Sequence, residues 1–297
     1  MSVIECKNLT KVYKDFRALD ELNCTINEKT ITGLIGRNGA GKTTLLKILA
    51  GYLSETSGEV HVFSERPYNN LFVSANSILI DDQVKFSNSL TLMQILEEAE
   101  RFYEHWDMEF AKRLCNYFSF PKNQHHQFLS KGRKSTFNAI IGLASRCELT
   151  MFDEPITGMD AAVRKDFYRA LLKDYLEHPR TIILSSHHLD EIEDLLEDVL
   201  LIKNGQAFLH LPVEDLKEYA VGLTGRTEVV QQWMYDKEVL YKNQISPDYT
   251  YVVVKNNFPI EKAKQLGIEV SSVSPSDVCI YLTNETKGGI DDVFSKN

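Results

Sequence analysis

The chain has 297 residues, which at about 150 residues per domain is enough for two domains. Hydrophobic residues make up 43% and charged residues 25%, so the composition excludes a disordered, collagen-like or low-complexity chain. The 33 basic and 42 acidic side chains leave a net charge of −9, which argues against a surface built to neutralise nucleic-acid phosphates. We therefore expect a folded protein with no nucleic-acid partner.

The first 35 residues alternate apolar and polar side chains in short stretches, which predicts a β-rich start. From Lys42 the apolar residues recur with the spacing of a helix face, and Gly51 ends that pattern. Residues 87–120 are mainly helical in pattern and end at Pro121, which predicts a helical subdomain over about 85–135.

Strands and helices alternate in the next part of the chain. Apolar strands at 149–152 and 181–184 flank a helical pattern at 161–176, and a further strand follows at 199–202. This alternation predicts an α/β fold with a parallel sheet covered on both faces.

Beyond about residue 215 the order of predicted elements becomes βαββαβ, which is typical of a small ferredoxin-like α+β domain. We therefore predict two domains, 1–215 and 216–297. The sequence shows no secretory signal and no run of about 18 uncharged, mostly apolar residues, so we expect any membrane role to be peripheral.

The strongest motif is a G-x-x-x-x-G-K-T between a predicted strand and a predicted helix. Its glycines let successive backbone N–H groups surround phosphate oxygens at a helix N-terminus. The Lys42 side chain would reach the β and γ phosphates, and the Thr43 hydroxyl would coordinate Mg²⁺. The predicted nucleotide-binding residues here are Gly36, Asn38, Gly39, Ala40, Gly41, Lys42, Thr43 and Thr44.

Two carboxylates follow the buried strand at 149–152. Asp153 stands where an acidic residue of such sites holds Mg²⁺, and Glu154 is placed to act as the general base toward water. The alternative for Glu154 is a cap on the following helix, since acidic residues are common at helix starts. The motif and the acidic pair together define a P-loop NTPase.

With these motifs in place, the first 205 residues resemble the nucleotide-binding subunits of ABC transporters. By this resemblance, Tyr13 stacks on adenine, and Gln83 contacts Mg²⁺ and the attacking water. Leu129-Ser130-Lys131-Gly132-Arg133 is similar to the family signature LSGGQ, whose Ser130 and Gly132 would contact ATP held by an opposing subunit. Two plainer interpretations stay open, namely Tyr13 as a half-buried strand residue and Ser130 as a helix N-cap.

Further along the chain, Asp160 matches the loop that contributes across a dimer of cassettes, and His187 matches the histidine that contacts the γ-phosphate. The sequence departs from the family in its signature, where Lys131 replaces a glycine and Arg133 replaces a glutamine. This departure leaves open whether this copy of the signature supports hydrolysis on its partner, and the working pair is either a homodimer or a heterodimer.

The resemblance implies an ATPase that binds ATP and Mg²⁺ and powers translocation through a separate transmembrane permease subunit, at the cytoplasmic face of the membrane. Residues 274–282 and the general character of the chain are most similar to multisubunit exporter ATPases of Gram-positive bacteria, of the type that serves antimicrobial-peptide responses or amphipathic-peptide secretion. The alternative is a non-transport ABC ATPase that acts on ribosomes or nucleic acid, which the net charge of −9 disfavours.

Overall fold

A computed structural model describes residues 1–235 and 237–284, so the end of the predicted second domain, 285–297, lies outside the described residues. The chain forms two compact units. Unit 1 contains Met1–His187 and Asp194–His210, and unit 2 contains His188–Glu193 together with the described residues from Leu211 onward. The predicted boundary at residue 215 stays a prediction.

Strands and helices of the first part of the chain follow the predicted alternation. The strands are β1 (Ser2–Tyr13), β2 (Phe16–Asn27), β3 (Ile31–Ile35), β4 (Ser57–Val62), β5 (Ser77–Ile80), β6 (Leu149–Asp153), β7 (Thr181–Ser186), β8 (Asp198–Lys203) and β9 (Gln206–Pro212). The helices are α1 (Lys42–Leu49), α2 (Leu71–Asn76), α3 (Leu92–Phe102), α4 (Met108–Tyr117), α5 (Lys131–Ser145) and α6 (Ala161–Glu177), with a short 3-10 turn at His126–Phe128.

These strands make two sheets. The order in the larger sheet is β5-β6-β7-β3-β8-β9, and the neighbours from β5 to β8 pair in parallel, as predicted. The smaller sheet has the order β2-β1-β4 and is antiparallel. The fold is therefore the predicted α/β cassette with a mixed arrangement of sheets.

Helix α1 belongs to the core that the two sheets share. Its buried residues Leu45, Leu46, Ile48 and Leu49 lie in one apolar cluster with residues of both sheets. Burial of each such side chain contributes about 1.5–3 kcal/mol, so the helix that follows the phosphate loop is firmly held.

The helical segment between β5 and β6 contains α3, α4 and α5. Thr91 and Gln94 form a capping box at the start of α3, and Asp107 caps α4. Helix α5 begins at the Ser130 cap, which stands in the signature, and ends at Arg146 in a left-handed conformation. The signature thus lies at a helix N-terminus, as predicted.

The second part of the chain contains α7 (Val213–Lys217), β10 (Ala220–Arg226), α8 (Thr227–Trp233), β11 (Val239–Ser246), β12 (Tyr249–Lys255), α9 (Ile260–Gln265), β13 (Glu269–Ser272) and α10 (Pro275–Thr283). The antiparallel sheet order is β11-β12-β10-β13. With helices α8 and α9 between the strands, this is the predicted ferredoxin-like βαββαβ topology.

A short piece of chain from the middle of the sequence also belongs to unit 2. It is His188–Glu193, which contains a 3-10 turn at Leu189–Glu191 and contacts α10. The Ser276 hydroxyl donates a hydrogen bond to the Asp190 carboxylate at 3.5 Å. None of the helices in the described part of the chain has the length and apolar character needed to cross a bilayer.

Candidate nucleotide-binding site

Three neighbouring strands of the larger sheet end at the same edge. Strand β7 lies between β3 and β6, and all three run in parallel. The glycine-rich loop follows β3, Asp153 ends β6, and His187 follows β7. The carboxyl edge of a parallel sheet is where open α/β folds bind ligands, so the topology brings the predicted motifs together.

The loop before α1 depends on Gly41, the helix N-cap, which has a φ of 112°. A β-carbon there would lie 2.6 Å from the Ala18 carbonyl oxygen, so only glycine fits. The ammonium group of the buried Lys42 donates hydrogen bonds to the carbonyl oxygens of Gly36, at 2.6 Å, and of Arg37, at 3.4 Å. The lysine therefore spans the loop from inside.

Beside the loop is a cavity of about 210 Å³. Its lining contains most of the predicted phosphate-loop residues and both acidic residues. The lining residues are Phe16, Ala18, Asn38, Gly39, Gly41, Lys42, Thr43, Thr44, Asp153 and Glu154.

Asp153 is held by two hydroxyl groups. Thr43 donates from Oγ1 to Asp153 Oδ2 at 2.5 Å, and Ser185 donates from Oγ to Asp153 Oδ1 at 2.5 Å. The predicted Thr43 and Asp153 are thus adjacent. Ser185 was not predicted, and the available signal was a hydroxyl residue at the end of a strand directly before the histidine segment.

The Glu154 carboxylate contacts both Lys42 of the phosphate loop and His187 after β7. Its Oε1 is 3.5 Å from the Lys42 ammonium nitrogen, and its Oε2 is 2.8 Å from His187 Nδ1. Its backbone is left-handed, with a φ of 50°. Helix α6 begins later in the chain and is capped by Asp160, so the interpretation of Glu154 as a helix cap is wrong.

Gln83 lies outside this cavity lining in the described structure. Its side-chain oxygen accepts a hydrogen bond from the Lys47 ammonium at 3.1 Å, and Lys47 also pairs with Asp81 at 3.8 Å. The predicted contact of Gln83 with Mg²⁺ and water stays a prediction.

The aromatic residue that lines the cavity is Phe16. Tyr13 is its cross-strand partner in the β1–β2 hairpin, is partly exposed, and has the Lys11 ammonium 5.4 Å from its ring centre. Stacking of Tyr13 on adenine stays a prediction. The signal for Phe16 was a second aromatic residue across a two-residue turn.

Ser130, Gly132 and Asp160 form a second group at the starts of α5 and α6, outside the cavity lining in the described structure. Ser130 accepts a hydrogen bond from the Arg133 backbone N–H at 3.4 Å, as the N-cap interpretation requires. The guanidinium group of Arg133 is turned toward the preceding segment, where it lies 4.4 Å from the Phe120 ring centre and donates to the Ser119 carbonyl oxygen at 2.8 Å.

Comparisons with known proteins agree with this geometry. The family described as "ABC transporter" matches residues 19–157. An uncharacterized ABC transporter ATP-binding protein of Methanocaldococcus jannaschii is 34% identical over 217 residues, which is 72% of this chain and 79% of that protein. The ATP-binding protein YtrB of Bacillus subtilis is 28% identical over 73% of this chain and 74% of its own length.

Two further similarities are informative. The bacitracin transport ATP-binding protein BcrA of Bacillus licheniformis is 28% identical over 73% of this chain and 72% of its own length. The fold is similar to a dimeric ATP-binding cassette solved in a post-hydrolysis state with ADP and Pi, with a TM-score of 0.63 and 20% identity over 71% of this chain and 98% of that one. The chain belongs to the ATP-binding subunits of ABC transporters, a family of ATPases.

Proposed function

We propose that this chain hydrolyses ATP to drive export through a separate transmembrane permease, at the cytoplasmic face of the membrane. The observation that carries the proposal is the meeting of Lys42, Asp153 and Glu154 in one cavity, with His187 hydrogen-bonded to Glu154. A lysine for the phosphates and a carboxylate for the attacking water are the groups that phosphoryl transfer needs.

Glu154 would act as the general base. Its carboxylate contacts both Lys42 and His187, so it would face the terminal phosphate that Lys42 binds. A base in this position takes the proton of the attacking water, which contributes about 10² to 10⁴ in rate. His187 would hold the Glu154 carboxylate in place and contact the γ-phosphate.

Asp153 at the end of β6 and Thr43 at the start of α1 fit a Mg²⁺ ion. The Thr43 hydroxyl and the Asp153 carboxylate are hard oxygen donors, which Mg²⁺ prefers, and they lie 2.5 Å apart. Thr43 and Asp153 would hold the ion, directly or through water, with Gln83 as a further donor. When bound, the ion would neutralise charge on the β and γ phosphates.

A second ATP-binding subunit is part of the proposal. Ser130, Gly132 and Asp160 lie at two helix N-termini outside the cavity that Lys42 lines, so they are available to a nucleotide on another subunit. The Arg133 side chain is turned toward Phe120 and the Ser119 carbonyl oxygen, so it would not stand between Ser130 and a nucleotide on the other subunit.

Export of an amphipathic peptide is the transport reaction that we propose. The support is the similarity to the bacitracin transport subunit, together with the resemblance of residues 274–282 to the tails of exporter ATPases. In cells that carry this chain, deletion is expected to increase sensitivity to bacitracin-like peptides. Restoration by wild-type chain and by Glu154→Gln alike would contradict the proposal.

The first experiment is ATP hydrolysis by the purified chain against protein concentration, with the Glu154→Gln variant alongside. We expect the variant to bind ATP and to lose about 10²-fold or more of the turnover, because the base is gone while Lys42 and the loop remain. Glu98→Gln, an exposed residue that forms an i,i+3 pair with Arg101, is the matched control and should keep wild-type turnover.

Turnover per chain that rises with concentration would support a homodimer in which Lys131 and Arg133 are tolerated. A flat, low turnover with ATP still bound would indicate a different second ATPase subunit or the permease as the missing partner. Wild-type turnover in Glu154→Gln would overturn the assignment of the base.

A further inference from the structure

Ser185 touches both acidic residues of the site. It is the fifth residue of β7, its side chain is buried, and its hydroxyl has two partners. The hydroxyl donates to Asp153 Oδ1 at 2.5 Å and accepts from the Glu154 backbone N–H at 2.9 Å. One oxygen atom therefore joins the side chain of one acidic residue to the backbone of the next.

This contact follows from strand register. Asp153 and Ser185 are Cα partners in the parallel pairing of β6 with β7. The last residue of β6 is thus beside the hydroxyl, and the chain turns at Glu154 directly above it. A slip of one residue in either strand would put a different side chain in this place, because neighbouring residues of a strand point to opposite faces.

On the Asp153 side, the hydroxyl sets the direction of the carboxylate. With Oδ1 bonded to Ser185, the other oxygen, Oδ2, is the one that meets the Thr43 hydroxyl. Ser185 is a neutral donor, so it orients the carboxylate and leaves its negative charge in place. A lysine or arginine in this position would neutralise that charge. The negative charge stays available to a cation at Thr43.

The Ser185 hydroxyl also accepts a hydrogen bond from the backbone N–H of Glu154, a residue with an uncommon backbone conformation. Glu154 has a φ of 50°, in the left-handed region that residues other than glycine rarely adopt. The turn points its side chain at Lys42 and His187. Without the bond to Ser185, the turn would lose the acceptor that holds its first N–H.

We propose that Ser185 is a positioning residue that sets the Asp153 carboxylate for Mg²⁺ and the Glu154 carboxylate for water at the same time. The proposal rests on the ATPase function proposed above. It makes the end of β7 a third part of the site, in addition to the phosphate loop and the acidic pair.

The test is the full-length Ser185→Ala variant, measured first by equilibrium binding of ATP with Mg²⁺ and with EDTA. We expect ATP affinity in EDTA within about twofold of wild type, because the phosphate loop is intact. We expect the gain in affinity that Mg²⁺ gives to fall by about tenfold or more, since loss of a residue that orients a metal ligand typically costs 10- to 100-fold. The kcat should fall by a similar factor, and the KM for Mg²⁺-ATP should rise with the weaker binding.

Thr32→Val is the matched control. Thr32 is a buried residue of β3, the other neighbour of β7, and its hydroxyl has no hydrogen-bond partner among the described residues. Loss of this hydroxyl should leave Mg²⁺-dependent binding and kcat unchanged. Ser185→Thr keeps the hydroxyl and should recover most of both quantities.

The proposal is overturned if Ser185→Ala keeps both Mg²⁺-dependent ATP binding and kcat within twofold of wild type. It is also overturned if the ATP affinity of the wild-type chain does not respond to Mg²⁺. If thermal melting shows that Ser185→Ala does not fold, Ser185→Cys is measured against the same limits, since its thiol is a much weaker donor. A wild-type chain that binds Mg²⁺-ATP and hydrolyses none even with its partner ATPase subunit and permease present would defeat the proposed function, while the binding measurement would still decide the role of Ser185.

Discussion

Gly132 and Gly158 lie where the backbones of two functional segments touch. A β-carbon on Gly132 would overlap the Gly158 carbonyl oxygen, and Gly158 itself has a φ of 80°. The Ser135 hydroxyl donates to the Thr157 carbonyl oxygen at 2.8 Å in the same contact. The signature at the start of α5 and the segment before Asp160 are therefore packed as one surface.

The Gly132→Ala variant tests this contact. The added methyl group must push the two segments apart, because the atom it meets is backbone and cannot rotate away. We expect ATP binding to the chain's own phosphate loop to be unchanged, and ATP-dependent dimerisation and turnover to fall by about tenfold or more. Binding of a fluorescent ATP analogue and size-exclusion chromatography measure the two quantities.

Lys134→Ala, on the same turn of α5, is the control for this prediction, since it removes a side chain without adding atoms to the contact. Normal dimerisation of Gly132→Ala would show that the close approach of the two segments has no part in assembly.

Which residues could be predicted depends on how local their geometry is. The residues from Gly36 to Thr44 form one loop and one helix start, so their spacing alone predicts the cavity wall that they make. Ser185 and Phe16 reach the site through pairing between strands. Their roles depend on register, which a motif search along one segment does not contain.

The order of strands and helices was predictable because apolar side chains recur with a different period in a strand than in a helix. The parallel sheet and the βαββαβ order of unit 2 follow from these periods and are confirmed. The separation of β1, β2 and β4 into their own antiparallel sheet was not predicted, because it depends on pairing of β1 with a strand some 50 residues later.

The turn before α5 contains a titratable group. His126 is buried, its ring lies 4.9 Å from that of Phe86 and 5.9 Å from that of Phe137, and its Nε2 is hydrogen-bonded to Asn138 Oδ1 at 2.9 Å. Burial lowers the pKa of His126 below its usual value, and the bond to Asn138 opposes this only in part. The neutral imidazole is thus the form that fits beside the signature helix.

The prediction from this turn is a loss of stability in acid. Because the pKa of His126 is lower in the folded chain than the value of about 6.5 in the unfolded chain, the unfolded state takes up the proton first as pH falls. The contribution of His126 to the free energy of unfolding should be fully present above pH 6.5, and the free energy should decrease as the pH falls below that value. Urea titrations between pH 7.5 and 5.5 measure the slope, which should be shallower in His126→Gln.

His178→Gln, at an exposed histidine, is measured alongside as the control. Equal slopes in wild type and His126→Gln would refute the assignment of the acid sensitivity to this turn.

For the molecule as a whole, one network of buried and half-buried charges connects helices α4, α5 and α6. Asp174 of α6 pairs with Arg180 at 2.8 Å and with Arg146 at 3.3 Å, and Arg146 pairs with Asp107 at 3.0 Å. Asp107 caps α4 and Arg146 ends α5, so the network fixes the far end of the helix whose start carries the signature.

Asp174→Asn is predicted to destabilise the chain by about 3 kcal/mol, because it leaves the charge of the buried Arg180 uncompensated. Urea unfolding measures this change. The exposed pair of Glu109 with Lys112 provides the control, since Glu109→Gln should cost less than about 1 kcal/mol. A loss as small as the control's would mean that Asp174 is not the compensating charge.

Because His188–Glu193 belongs to unit 2, a truncation of the gene cannot remove unit 2 cleanly. A stop codon placed after residue 210 would remove α10 and yet leave in the chain six residues that are packed as part of the deleted unit, including the buried Leu189 and Ile192. Apolar side chains left without their neighbours favour aggregation. Unit 2 therefore cannot be removed by truncating the chain at one point. Transferring unit 2 to a related ATPase requires residues 188–193 as well as the C-terminal part of the chain.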